Sequence, residues 1–231
     1  MPNIIDAIIN IVNNPMFELK TLYSGRNRAN NMGDALEEYV KDIFAETFNM
    51  DNIARNKKIS EVFSYLGNSN NPPDSILKNG DAIEVKKIES PSSALALNSS
   101  YPKSQLYSNS PMITQACKEC EQWDIKDIIY IVGVVNRDNL NSLTMVYGSD
   151  YAANFEIYEN IKRKIKDGVE TIPDVEFTET KELGKVNKVD PLGITYLRVR
   201  GMWGIENPFK VFEEHYKRSN GNKFDFMCII N

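Results

Sequence analysis

The chain reads as an α/β domain built around a mixed β-sheet. Three observations carry this. Apolar residues recur at helical spacing in the first fifty residues and again over 113–123 and 151–166. Short runs rich in Val, Ile, Phe and Tyr lie between these segments. One run, Ile128–Val135, is apolar almost without interruption, the pattern of a strand covered on both faces. With 231 residues, 42% of them hydrophobic, the chain suffices for one domain spanning 1–231, its core over about 30–148.

The first helix covers Pro2–Val12, where Ile4, Ile5, Ile8, Ile9 and Val12 repeat at helical spacing. No basic n-region precedes them, so they form an amphipathic helix and not a signal peptide. No apolar run approaches the roughly 18–20 residues needed to cross a bilayer, and a cytoplasmic protein is expected. In the next helix, Asn30–Phe48, Ala35, Leu36, Val40, Ile43, Phe44 and Phe48 share one broad face. Ile59–Leu66 alternates loosely and predicts a strand. Asn68–Pro73 has the chemistry of a turn or loop. A short strand, Asp74–Leu77, then turns through Lys78–Gly80 into a strand over Asp81–Ile88.

Ser90–Pro111 is rich in Ser, Asn, Pro and Tyr, and loops of this length inside a compact domain are usually functional or disordered. A helix over Ile113–Trp123 carries Ile113, Ala116, Cys117, Cys120 and Trp123 as one stripe. Its lone CxxC has no second pair and no nearby histidine, so core packing is expected of it and not zinc binding. Ile128–Val135 should be central in the sheet, with a further strand at Ser142–Gly148. Tyr151–Lys166 is an amphipathic helix whose Lys162, Arg163, Lys164 and Lys166 read as a solvated face. Lys185–Trp203 contains strand, Phe209–Lys217 is a short helix, and Phe224–Ile230 is a closing strand.

The net charge of −5 and a pI near 5.1 argue against a protein that coats nucleic acid non-specifically. They leave open a sequence-specific enzyme with a basic cleft. His215 is the only histidine. That excludes histidine-metal nucleases, Ser-His-Asp hydrolases and Cys-His proteases, each of which needs a histidine in a motif context absent here. No glycine-rich phosphate loop is present.

The chemistry concentrates between Pro72-Pro73-Asp74 and Glu84-Val85-Lys86. On a strand, Glu84 and Lys86 point to one face and Ile83 and Val85 to the other. A tight turn between two strands brings Asp74 beside Glu84. Two carboxylates with a main-chain carbonyl suit a hard cation such as magnesium. The adjacent lysine offsets their charge and can hold a water for attack on a phosphodiester. An acid–any–lysine triplet also recurs on exposed strand faces as a solvated edge, and spacing alone does not separate the two.

Pro73-Asp74, followed after nine residues by Glu84-Val85-Lys86, resembles the PD-(D/E)xK nuclease signature. The helix Gly33-Asp34-Ala35-Leu36-Glu37 resembles that superfamily's first core helix, in which a glutamate often joins the metal site; Glu37 matches best, with Glu38 its competitor. Gly80 to Ser90, with Ala96-Leu97-Asn98-Ser99-Ser100-Tyr101-Pro102-Lys103 behind it, is similar to the NgoPII-type restriction endonucleases. That resemblance implies a PD-(D/E)xK restriction-endonuclease-like fold. It implies Mg²⁺-dependent cleavage of double-stranded DNA at GGCC with blunt ends, a homodimer, and a DNA methyltransferase in the same system. On it, Asp74, Glu84 and the Val85 carbonyl bind the metal, Lys86 positions the attacking water, and Glu37 is a further acid. The C-terminal part would add DNA-recognition elements. Two readings stay open beside it: another nuclease of the same fold, such as a repair nickase or junction resolvase, and a non-catalytic DNA-binding protein.

The loop after the catalytic strand offers Asn98, Ser99, Ser100 and Lys103 to DNA. Arg26 and Arg28 could clasp the backbone or read guanine. Arg198 and Arg200, alternating with Val199, could read guanine in the major groove, although a salt-bridged strand face explains them too.

Overall fold

The computed structural model describes residues 2–19, 32–68, 70–217 and 221–230. The chain divides into two compact units, one of 1–95, 104–151 and 206–231, the other of 96–103 and 152–205.

The first unit is a central mixed sheet flanked by helices. Asn3 caps α1 (Ile4–Asn13) in a reciprocal box with Asp6. The buried Asn10 of α1 donates from Nδ2 to the Ile43 carbonyl at 2.7 Å, which ties α1 to α2 (Met32–Ala45). α2 buries Leu36, Tyr39, Val40, Ile43 and Phe44 against the sheet core, as its spacing requires. Next comes α3 (Asn52–Val62), where a strand was expected to start at Ile59. The Asp51 side chain accepts from the Ile53 and Ala54 amides and starts the helix. Arg55, Ile59 and Val62 then face inward at i, i+4, i+7. Arg55 lies 2.6 Å from Asp42 Oδ1 and 2.8 Å from Glu38 Oε2, a buried network between α3 and α2.

The strands are β1 (Phe63–Asn68), β2 (Asn71–Leu77), β3 (Ala82–Ile88), β4 (Leu95–Ala96), β5 (Gln105–Tyr107), β6 (Ile125–Asn136) and β7 (Asn139–Tyr147). Four more follow: β8 (Gly184–Asn187), β9 (Tyr196–Val199), β10 (Gly204–Ile205) and β11 (Asp225–Ile229). The main sheet runs β1-β2-β3-β6-β7-β11, and β5 pairs with β6 at its side. β3 and β6 are parallel, as are β7 and β11, while β1–β2, β2–β3 and β6–β7 are antiparallel. The apolar run over 128–135 lies in β6, inside the sheet as its composition predicts. Gly133 of β6 lets α2 lie close, since a Cβ there would meet the Leu36 methyls at 2.7 and 2.9 Å.

Other expected elements are shorter or displaced. β2 starts at Asn71 and so takes in the cis Pro72-Pro73 pair expected in a loop. The prolines are tolerated because the β1–β2 register shifts between Leu66 and Asn68, and β2 pairs with β3 only at Ser75↔Ile83 and Ile76↔Ala82. The helix expected over Ile113–Trp123 is confined to α4 (Gln115–Glu119). Its last turn does not continue because the Cys117 carbonyl accepts Cys120 Sγ and Trp123 Nε1 instead. α5 (Gly148–Tyr151) follows β7. The helix expected over Phe209–Lys217 is the single turn α7 (Pro208–Val211), capped by Asn207. Loop 90–111 is interrupted by β4 and β5.

In the second unit, α6 (Phe155–Glu170) precedes the antiparallel β8–β9 ribbon. Tyr101 stacks on Tyr158 with centroids 5.2 Å apart, and Trp203 meets both edge-on. The Leu97 amide donates to the Trp203 carbonyl at 2.9 Å, and the Trp203 amide to the Asn98 carbonyl at 2.7 Å. Among the described residues no helix is long and apolar enough to cross a membrane.

Candidate active site

The site lies where β2 and β3 part. Beyond Ser75↔Ile83 the backbone ladder between them ends, and the side chain of Asp74 crosses the gap. Its Oδ2 accepts the Val85 amide at 2.6 Å. A strand residue presents its N–H and C=O to the same neighbour, so the Val85 carbonyl also faces the Asp74 side. β3 stays paired with β6 from Ala82 to Ile88, which holds its alternation. Ile83 and Val85 are buried in the core, and Glu84 and Lys86 share the opposite face. Lys86 Nζ lies 2.6 Å from Glu84 Oε1 and 3.9 Å from Asp74 Oδ2.

Burial sets the electrostatics. It pushes the Asp74 carboxyl up to about 8, with the Glu84 and Glu37 charges adding to the rise, while Lys86 and the Val85 amide oppose it. Burial lowers the Lys86 ammonium, but the Glu84 and Asp74 carboxylates more than offset this, so its pKa lies above that of an ordinary lysine. Lys86 is therefore a fixed cation at neutral pH.

Glu37 and Glu38 separate cleanly. Glu38 is buried between Arg55 and Lys41, the latter at 2.7 Å, and acts in the helix network. Glu37 is near enough to Asp74 and Lys86 to shift both, and burial raises its own pKa. The competitor position thus belongs to the core, and Glu37 belongs to the neighbourhood of the site.

The donor set fits a hard divalent cation. Glu84 Oε2 is buried with no hydrogen-bond partner among the described residues, a costly state for a carboxylate oxygen that a cation would relieve. Among the described residues no three Asp, Glu, His or Cys side chains converge as a ready-made cage. The acidic donors that converge are the carboxylates of Asp74 and Glu84, with the Lys86 ammonium beside them.

The remaining candidates are placed as follows. Asn98 has a positive φ of 52°, and its carbonyl holds Trp203. Ser99 is exposed. Lys103 is buried, its ammonium 2.8 Å from Ser100 Oγ, 3.3 Å from the Tyr101 carbonyl and 5.4 Å from the Tyr101 ring centroid. Arg198 and Arg200 are exposed and both grip Glu182, at 2.7 and 2.6 Å. Asn98–Lys103, Arg198 and Arg200 all belong to the second unit. Arg26 and Arg28 lie outside the described residues. Glu182, the acid that both arginines grip, stands sixteen residues before Arg198 and so carries no periodic signal in the sequence.

Comparison with known proteins bears on the same chain. The family model described as NgoPII restriction endonuclease matches residues 2–231. A "Type II restriction enzyme NgoPII" from Neisseria gonorrhoeae is 60% identical over 230 residues, covering 99% of this chain and 83% of that one. No solved structure matches. The chain therefore belongs to the NgoPII restriction endonuclease family, and its enzyme class is that of a type II site-specific deoxyribonuclease.

Proposed function

We propose that this enzyme hydrolyses phosphodiester bonds in double-stranded DNA with Mg²⁺, at the palindrome GGCC and with blunt ends, on a PD-(D/E)xK fold. What chiefly supports the reading is the convergence of Asp74, Glu84 and Lys86 at the open edge of β2 and β3, with one Glu84 oxygen buried and unpartnered. The target sequence is what the resemblance of Gly80–Ser90 and Ala96–Lys103 to the NgoPII-type enzymes implies. The helix–strand order from α2 through β6 supports the fold.

Asp74, Glu84 and the Val85 carbonyl hold the Mg²⁺, with Glu37 as a further acid behind them. When bound, the ion supplies Lewis-acid stabilisation of the charge that develops on the phosphate. Lys86, kept charged by its carboxylate neighbours, holds the attacking water by hydrogen bond and lowers the cost of the pentacovalent, dianionic transition state. Its raised pKa makes it a positioner and not the acceptor of the water's proton.

A two-fold palindrome is matched by a homodimer with one active site for each strand. α1, which exposes Ile5, Ile9 and Val12 along one stripe, is the proposed part of that surface. The second unit supplies recognition elements, and a DNA methyltransferase of the same system protects the host's sites in the cytoplasm. The test is digestion of phage DNA by the purified protein with Mg²⁺, followed by sequencing of the ends. Discrete fragments ending in GG and CC are expected. Random nicks, or no cleavage, would overturn the proposal.

A further inference from the structure

The β8–β9 ribbon of the second unit has the size and the surface of a major-groove reader. Its ladder runs from Gly184↔Val199 to Asn187↔Tyr196, and a bond from the Val189 amide to the Thr195 carbonyl, 3.1 Å, extends it toward the turn. At roughly 3.3 Å per residue the ribbon is about 17–20 Å long. Phe177 and Thr178 flank the other edge of β8, through the Phe177↔Val186 bridge and the Thr178 amide to the Lys185 carbonyl at 2.8 Å. The ribbon would therefore meet a groove about 12 Å wide through its turn end and the face β8 shares with β9.

Directly paired side chains share a face. The register therefore collects Lys185, Asn187, Tyr196 and Arg198 on one side, and Gly184, Val186, Leu197 and Val199 on the other. Lysine and arginine suit guanine edges, and the side-chain oxygen of asparagine can accept from the cytosine amino group. Between Glu182 and Trp203 four cations, Lys185, Lys188, Arg198 and Arg200, outnumber the carboxylates Glu182 and Asp190. Both carboxylates are already engaged. Asp190 accepts the Leu192 amide at 2.9 Å and the Thr195 amide at 2.6 Å, which builds the turn. Glu182 accepts Arg198 Nε and Nη2, each at 2.7 Å, and Arg200 Nε at 2.6 Å. That leaves the Nη1 side of Arg198 for a ligand. Lys185 Nζ sits 5.8 Å from the Tyr196 ring centroid, which sets the two side chains side by side on this face.

We propose that this ribbon enters the major groove of the target DNA, with Arg198, Lys185, Asn187 and Tyr196 contacting base edges and Glu182 acting as the positioning residue for both arginines. A cationic, amide-bearing face in a chain of net charge −5 favours DNA over a second protein surface, which would meet the apolar side. The inference rests on the DNA-cutting reading above.

The experiment measures binding by the full-length enzyme with Ca²⁺ in place of Mg²⁺. One duplex carries the site mapped by end sequencing, and another of equal length has that site scrambled. Arg198→Lys keeps the charge and loses the fork; affinity for the site duplex should fall roughly ten- to a hundred-fold. Affinity for the scrambled duplex should stay within about threefold. Glu182→Gln should lower discrimination in the same direction, and Glu182→Asp should restore part of it. Asn187→Ala lies outside the ion pairs and should also lower discrimination; because Asn187 Nδ2 donates to Thr178 Oγ1 at 3.4 Å, Thr178→Val, which removes only that bond, should leave discrimination unchanged. Unchanged discrimination in Arg198→Lys and Asn187→Ala, or equal weakening on both duplexes, overturns the ribbon while a wild type that still cuts its site preserves the nuclease. A wild type that binds neither duplex and cuts nothing overturns the nuclease reading itself.

Discussion

Asp74 does two jobs that pull against each other. It bridges to the Val85 amide where the ladder has ended, and it carries a carboxylate into a buried, acid-rich corner. Its folded pKa of about 8 lies above its ordinary 3.8, so the stability it contributes is present below the lower value and is lost as pH rises through the higher one. Asp74→Asn keeps an oxygen for the Val85 amide and removes the charge. In EDTA, melting curves should show the variant at least as stable as the wild type at pH 8.5, with the advantage shrinking toward pH 5. A variant destabilised throughout that range would contradict this electrostatic account. Lys86→Met removes the cation beside Glu84 and keeps the aliphatic bulk. Cleavage should fall about a hundred-fold or more, since one charge-stabilising group is lost, while the fold persists.

The elements explain why these residues meet. Gly67 sits at the register shift of β1, and a Cβ there would stand 2.6 Å from the Pro73 carbonyl oxygen and 2.7 Å from that of Asp74. These are backbone atoms with little room to yield. Gly67→Ala should therefore displace Asp74 and reduce kcat more than DNA affinity, which kinetic constants would reveal; unchanged kcat would refute the link. Arg55→Ala removes the guanidinium that Glu38 and Asp42 share in the core, leaving Glu38 with Lys41, and should cost about 3–5 kcal/mol in denaturant unfolding. A cost near zero would show that the network is not stabilising. The strand carrying Glu84 and Lys86 and the helix before it were legible in the sequence because apolar and polar residues alternate or recur with one period, and the central strand over 128–135 because it is apolar and buried without a break. α3 was hidden by its charged exposed residues, although Asp51 with Arg55, Ile59 and Val62 was a readable start and inward face. α4 looked longer because the apolar stripe over 113–123 continues past the point where a cysteine and a tryptophan take the Cys117 carbonyl. Glu37 against Glu38 turned on a partner, Arg55, in another helix, which no local pattern contains.

At the scale of the whole molecule, the chain carries a net charge of −5, and on the proposed reading the chemistry belongs to the first unit and DNA recognition to the second. Stability should follow the cation as well. An ion that binds only the folded state stabilises by RT ln(1 + [L]/Kd), so Ca²⁺ should raise the melting temperature of the wild type and not of Glu84→Gln. Equal shifts in both proteins would place the ion elsewhere. The most direct test is single-turnover cleavage of the mapped DNA site at saturating Mg²⁺ by wild type, Asp74→Asn and Glu84→Gln, each checked for a folded melting transition. Removing either ligand should slow cleavage by about a thousand-fold or more, the equivalent of several kcal/mol of transition-state stabilisation. Folded variants that cut within about tenfold of the wild-type rate, under 1.4 kcal/mol, would contradict the proposed centre.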